Sequence, residues 1–416
     1  EVVVLSRIAG DLYLEDVPLQ DIASKYGTPT YVYSEREIRE AYCRFEQALG
    51  CLPHTICYAV KANSNIAVLQ ILAKLGAGFD IVSGGELTRV LTAGGAPKKI
   101  VFSGVGKQDW EIRQALEVGI GCFNVESASE LNRIADIADT CKFVAPISIR
   151  VNPDVDPKTH PYISTGLKEN KFGVSAMEAK GLYRAAANDP NLQIVGIDCH
   201  IGSQITNLLP FKDALDRLLE LVRELESDGI SLKHIDLGGG IGVRYRDEEP
   251  IDLDEFASIV RDAMVDLKHH LLFEPGRMIV ANAGILLTRI TTLKKNDEKR
   301  FAVVDAAMND LIRPSLYNAW QDVIPVTVTN KPAAKWDVVG PICETGDFLA
   351  KERHLALDEN GLIAILSAGA YGFVMSSNYN SRNRAPEILI SGSDHHVIRR
   401  RETIEDQLAL ESLLNS

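Results

Sequence analysis

A chain of 416 residues, 46% hydrophobic and 24% charged, is long enough for two domains and has the composition of a globular enzyme. Asp and Glu outnumber Lys and Arg by 57 to 44, and the net charge of -13 argues against a nucleic-acid or anionic-membrane surface, leaving a small-molecule substrate as the expected partner. No apolar run approaches the length of a membrane span, so no membrane association is expected.

Glu1-Val-Val-Val-Leu has no basic stretch leading into a long apolar core, so no signal peptide is expected. Val2–Leu5 and Pro29–Tyr33 read as strands. From residue 55 to 275, short apolar runs alternate with amphipathic segments of helical period. The runs are Thr55–Val60, Gly78–Val82, Ile100–Phe102, Cys122–Val125, Ile147–Val151, Val195–His200, His234–Leu237 and His270–Phe273. The helical segments between them include Ile66–Leu75, Glu86–Ala93, Trp110–Val118, Ala128–Ala138, Phe211–Asp228 and Leu253–Lys268.

Eight strands with intervening helices predict an α/β fold, a parallel (β/α)8 barrel, over residues 36–279; an open doubly wound sheet would also alternate, but eight units in this length sit better in a barrel. After Glu274 the texture becomes β-rich, with Ile285–Leu293, Phe301–Val304, Val323–Thr329, Trp336–Val339 and Leu362–Leu366 separated by turn residues. Residues 1–35 and 280–416 are therefore expected to form a second, mostly antiparallel β domain.

Seven cysteines, an odd number without a C-x-x-C pair, argue against a disulfide framework or zinc site and suit a reducing cytoplasm. The adjacent pairs His269-His270 and His395-His396 should diverge, so no metal is expected there.

The active site of such a barrel lies at the carboxyl ends of its strands. The first strand leads into Lys61, an amine that desolvation can make nucleophilic, although a lone lysine is usually a solvated surface charge. The sixth leads into His200, by itself an ordinary core histidine. The seventh leads into Gly238-Gly239-Gly240, either a tight turn or a cradle of backbone N–H groups for a phosphate. The eighth leads into Glu274-Pro275-Gly276-Arg277, a surface ion pair or a charged edge of the site. A lysine, a histidine, a phosphate cradle and a Glu-Arg pair on one rim together point to a phosphate-bearing aldehyde cofactor.

Tyr58-Ala59-Val60-Lys61-Ala62-Asn63, His200-Ile201-Gly202-Ser203, Gly238-Gly239-Gly240, Glu274-Pro275-Gly276-Arg277 and Cys343-Glu344-Thr345-Gly346-Asp347 resemble, in order, the diaminopimelate decarboxylase family. That family is a branch of the barrel-fold pyridoxal phosphate enzymes, which also hold ornithine and arginine decarboxylases and alanine racemase. The resemblance spans nearly the whole chain. Its Cys-Glu-Thr-Gly-Asp segment is the most discriminating and the glycine run the least.

The resemblance implies that Lys61 carries pyridoxal phosphate as a Schiff base and that His200 stacks on its ring. Ser203, Gly239, Gly240 and the backbone around Pro275, Gly276 and Arg277 are implied to hold the phosphate, and Asp80 and Arg150 to support the site. Glu274 is implied at the pyridine nitrogen, where the racemase branch has an arginine. A carboxylate there keeps the nitrogen protonated and favours decarboxylation. Arg277, Arg313 and Tyr317 are implied to bind the distal carboxylate, Glu344 the distal ammonium, and Tyr371 both cofactor and substrate.

Cys343, by composition an unremarkable small hydrophobe, is implied to protonate the reacting carbon from a partner subunit of a homodimer. The expected reaction is decarboxylation of meso-diaminopimelate to lysine, the last step of lysine biosynthesis. The alternatives are a decarboxylase of ornithine, arginine or a carboxylated polyamine, and a relative that binds the cofactor without catalysis.

Overall fold

In the computed structural model the described residues are 5–153, 171–200 and 202–414. They divide into two compact units, one within Ala41–Val243 and Glu249–Met278, the other within Glu1–Glu40, Arg244–Glu248 and Ile279–Ser416.

In the first unit, eight parallel strands close into a barrel. In chain order they are His54–Ala59, Gly78–Ile81, Ile100–Phe102, Cys122–Val125, Ala145–Arg150, Leu192–Asp198, His234–Asp236 and His270–Phe273. The last pairs with the first in register Leu272↔Thr55, which closes the ring. Three of the eight expected spans coincide with the observed strands, and the others differ by one to three residues at an end. Val82 and Leu237 leave their strands because each begins the turn onto the rim.

Cys57, Val101, Cys122, Val195 and Leu272 fill one layer of the barrel interior. Burial pushes the thiols of Cys57 and Cys122 well up, so they act as apolar filler rather than nucleophiles. His269 pairs with Glu226 at 2.8 Å and His270 with Thr55 at 2.8 Å, so these neighbouring rings point to separate partners.

Serines start three of the surrounding helices. Ser83, Ser127 and Ser175 accept the N–H groups of Glu86, Glu130 and Glu178, each cap stabilising its helix by about 1 kcal/mol. The third helix, Ala176–Ala187, is not among those singled out in the sequence; its buried face carries Ala179, Leu182, Tyr183 and Ala186, half of it only alanine. The helix expected over Leu253–Lys268 stops at Ala263, and the remaining residues turn back toward the eighth strand.

The second unit centres on the long strand Gly284–Lys295. It pairs antiparallel with Thr30–Ser34, Arg300–Val304 and Leu362–Ile365. Thr30–Ser34 also pairs in parallel with Glu387–Ser391, and Arg300–Val304 pairs in parallel with Ala334–Val339. The sheet is thus mostly antiparallel with two parallel joins.

Its core gathers Leu14, Leu19, Ile22, Val32, Ile285, Leu287 and Ile388. The first described strand is Leu5–Ile8; residues 2–4 of the strand expected at Val2–Leu5 lie outside the described residues. Strand Val323–Pro325 is shorter than the expected Val323–Thr329. Phe348–Leu355 and Asp394–Arg399 are strands whose interspersed charges hid them in the sequence, and Glu387–Ser391 is a further strand not singled out there. Among the described residues no helix is long and apolar enough to cross a membrane.

Candidate active site

Each element of the barrel rim is placed by a strand end. After Ala59 the chain tightens into a 3-10 turn, Val60–Ala62, which lifts Lys61 out of the strand. Its Nζ lies 3.4 Å from Asp80 Oδ2 on the neighbouring strand, where Asp80 stands opposite Ala59. The lysine side chain is 37% exposed while that of Asp80 is fully buried, an amine reachable from solvent beside a fixed counter-charge. Gly276 packs against this turn: a β-carbon there would lie 3.0 Å from those of Ala59 and Ala62. The Ala59 N–H donates to the Pro275 carbonyl at 3.0 Å, tying the Glu-Pro-Gly turn to the first strand.

The glycine run is a requirement of packing. Gly238 and Gly240 have φ of +65° and +91°. A β-carbon on Gly239 would stand 2.1 Å from the Glu274 carbonyl oxygen, and one on Gly240 would stand 2.3 Å from that of Gly202. The Gly239 N–H donates to His200 Nδ1 at 3.1 Å. Burial, with the charges of Arg150 and Lys61, holds His200 well below the usual imidazole value, so the ring is neutral with its proton on Nε2. Arg277 donates from Nη2 to Ser203 Oγ at 2.8 Å, joining the ends of the sixth and eighth strands. Arg150, buried at the end of the fifth, pairs with Glu126 at 3.1 Å.

Three buried carboxyl groups line the barrel below this rim. Oxygens of Asp198, Asp236 and Glu274 lie within 4.8 Å of one another. Burial raises Glu274 far above the ordinary carboxylate range, reinforced by Asp236, Asp80 and Asp198. Burial likewise pushes Asp236 up to about 6, and Asp198 is raised by burial and by Asp236. Asn124 Nδ2 donates to Glu274 Oε1 at 3.4 Å, and the Glu274 N–H donates to the Gly238 carbonyl at 2.7 Å. Sequence reasoning missed Asp198, Asp236 and Asn124. The available signal was an acid closing an otherwise apolar strand, twice over.

The remaining expected residues belong to the second unit. Arg313 and Tyr317 bound the short helix Arg313–Tyr317, with the buried guanidinium 5.8 Å from the Tyr317 ring centre. Cys343 and Glu344 are exposed on a loop, where the Cys343 N–H donates to Asn380 Oδ1 at 3.1 Å. The loop is anchored by Asp347, which accepts from the N–H groups of Met308 at 2.7 Å and Ile342 at 2.9 Å. Tyr371 is half-buried with φ of +54°, a backbone conformation that costs a tyrosine energy and tends to occur at sites of function.

Residues 35–281 match the family of pyridoxal-dependent decarboxylases over its pyridoxal binding domain. The diaminopimelate decarboxylase of Pseudomonas fluorescens is 60% identical over 406 residues, covering 97% of this chain and 98% of that one. That of Vibrio cholerae is 55% identical over 97% of both. This chain belongs to the diaminopimelate decarboxylase family.

Solved structures of the family agree. Diaminopimelate decarboxylase from Helicobacter pylori, complexed with L-lysine, superposes with a TM-score of 0.92 at 44% identity, over 94% of this chain and 99% of that one. The enzyme from M. jannaschii, also with L-lysine, gives 0.94 at 36% identity over 99% and 98%. The family's cofactor is pyridoxal phosphate, and the rim fits it on its own terms. It offers a reachable amine, glycines that leave no room for side chains, a neutral imidazole, and a buried acid with high proton affinity.

Proposed function

We propose that this protein decarboxylates meso-diaminopimelate to lysine and CO2 with pyridoxal phosphate held at the barrel rim, as the last step of lysine biosynthesis. The observation that carries the reading is the placement of Lys61 and Glu274 at the ends of adjoining strands, with the glycine run beside them. When bound, the cofactor supplies a conjugated ring that accepts the electron pair left behind as CO2 departs.

Lys61 is the nucleophile that anchors the cofactor, and Asp80 fixes the position of its amine. Glu274 takes the ring nitrogen, where its high proton affinity keeps a proton shared between carboxyl and ring. His200, being neutral, offers a flat face that adds no positive charge. Ser203, Gly239 and Gly240 with the backbone of Pro275, Gly276 and Arg277 hold the phosphate, and Arg150, paired with Glu126, supports the site. The Ser203 hydroxyl suits this task, since it accepts from Arg277 and keeps its own proton to donate.

Arg277 and Arg313, with Tyr317, take the distal carboxylate of the substrate, and Glu344 takes the distal ammonium. Tyr371 touches both cofactor and substrate. Cys343 or Lys61 returns a proton to the carbon that has lost CO2. The protein acts as a homodimer in which Cys343 serves the partner's site, a role supported by the exposure of Cys343 and Glu344 on their loop. Seven free cysteines suit a reducing cytoplasm.

The test is CO2 release from meso-diaminopimelate measured beside ornithine, arginine and D-lysine. Turnover confined to diaminopimelate is expected; preference for ornithine or arginine would overturn the substrate assignment. A colourless protein releasing no CO2 from any of the four would overturn catalysis itself.

A further inference from the structure

Arg313 is held from two sides by residues outside the segments that carry the family resemblance. Its guanidinium lies over the Tyr245 ring, 4.7 Å from the ring centre. Its Nε donates to Gln321 Oε1 at 3.3 Å. Gln321 is fully buried, and its own amide is fixed by the carbonyls of Leu366 at 2.7 Å and Ser367 at 3.2 Å. A guanidinium with one face on an aromatic ring and Nε on a fixed acceptor has both its plane and its rotation set.

The Tyr245 platform is itself secured. Tyr245 and Arg246 donate their N–H groups to Glu248 Oε2 at 2.9 and 2.7 Å, closing the turn Arg244–Glu248. Arg246 stacks on Trp320 at 4.1 Å from the ring centre, and Arg353 stacks on the same ring at 3.0 Å. The dipeptide Trp320-Gln321 therefore anchors both supports at once: Trp320 holds the Tyr245 turn and Gln321 holds the arginine.

We propose that Tyr245 and Gln321 are positioning residues that preorganise Arg313 and thereby set the preference for a substrate with a distal carboxylate. The proposal rests on the reading of Arg313 as a carboxylate clamp. A planar fork recognises a carboxylate through two parallel hydrogen bonds only if its plane is fixed before the ligand arrives. An arginine free to rotate would lose affinity for the carboxylate and leave recognition of the amino groups unchanged.

L-lysine and cadaverine make the test, because cadaverine is the same carbon chain without the carboxylate. Inhibition constants for both, together with KM and kcat for meso-diaminopimelate, are measured on the holoenzyme and on four variants. Tyr245→Leu should raise KM and the L-lysine constant roughly three- to thirtyfold. Gln321→Met, which keeps the length and loses the acceptor, should raise them about ten- to a hundredfold. In both, kcat and the cadaverine constant should stay within about twofold, and Tyr245→Phe should restore L-lysine binding because the ring remains.

Equal weakening of L-lysine and cadaverine, or no change in either, would overturn the proposal while Arg313→Ala still weakens L-lysine selectively. If Arg313→Ala itself leaves L-lysine binding intact, the clamp reading falls and the positioning role with it. Should Tyr245→Leu fail to fold, Gln321→Met carries the same comparison alone.

Discussion

Asp236 and Glu274 are two buried carboxyl groups at the ends of neighbouring barrel strands, with oxygens within 4.8 Å of each other. Two carboxylates this close and this deeply buried disfavour each other's charge, so the pair has a raised affinity for a proton. Burial accounts for most of the rise in both, and repulsion between them adds to that of Glu274.

The pair gives stability a definite pH dependence. Asp236 is raised from 3.8 to about 6, so the folded state binds more protons than the unfolded one across that window. Stability from this group is fully present below the unfolded value and is lost as pH rises through the folded one. Melting temperatures of cofactor-free wild type and Asp236→Asn should show a wild-type advantage that shrinks from about pH 4 to about pH 7. Parallel curves would mean that Asp236 holds no extra proton.

Glu274→Gln should bind cofactor and lose catalysis. An amide keeps the volume of the carboxyl group and the contact with Asn124, but it cannot hold a proton at the ring nitrogen. Electrostatic stabilisers of this kind typically contribute about 10²–10³ in kcat. The expected variant is yellow and releases CO2 slowly. A fully active protein with weakened cofactor binding would reduce Glu274 to a wall of the pocket.

Gly239→Ala tests the cradle. With the Glu274 carbonyl 2.1 Å from the new β-carbon, the Gly238–Gly240 backbone must shift, at a cost of about 1–3 kcal/mol. Both melting temperature and cofactor affinity should fall. Gly181→Ala is the control: it lies in the helix Ala176–Ala187 with nothing within 4 Å of the added carbon, and should melt no lower than wild type. Undiminished cofactor binding in Gly239→Ala would show that the run is only a turn.

The proposed shared-site dimer predicts complementation. Lys61→Ala and Cys343→Ala should each be severely impaired alone. Mixed in equal amounts after dissociation, half the dimers should be heterodimers in which one site carries both lesions and the other none, so about a quarter of all sites should recover. No recovery despite demonstrated subunit exchange would place both groups in one chain.

Much of the site was legible in the sequence because a barrel brings every strand's carboxyl end to one rim. Knowing that Lys61, His200, Gly239 and Glu274 each follow an apolar run was enough to group them, without knowing any distance. The period of the runs likewise announced eight parallel strands, since strands buried on both faces read as continuous apolar stretches.

Local pattern carries no information about partners, and there the tertiary structure decided. Asp198, Asp236 and Glu274 meet because the sixth, seventh and eighth strands are adjacent in this register, which brings three separate acids within 4.8 Å of one another and raises their proton affinity. Thr30–Ser34, near the amino terminus, lies between Gly284–Lys295 and Glu387–Ser391, a choice made by hydrogen bonding over more than 250 positions of sequence. The turn Arg244–Glu248 leaves the barrel unit to place Tyr245 beneath Arg313. No periodicity marks that step, because a cation–ring contact is paid for by geometry in three dimensions and leaves no repeat along the chain.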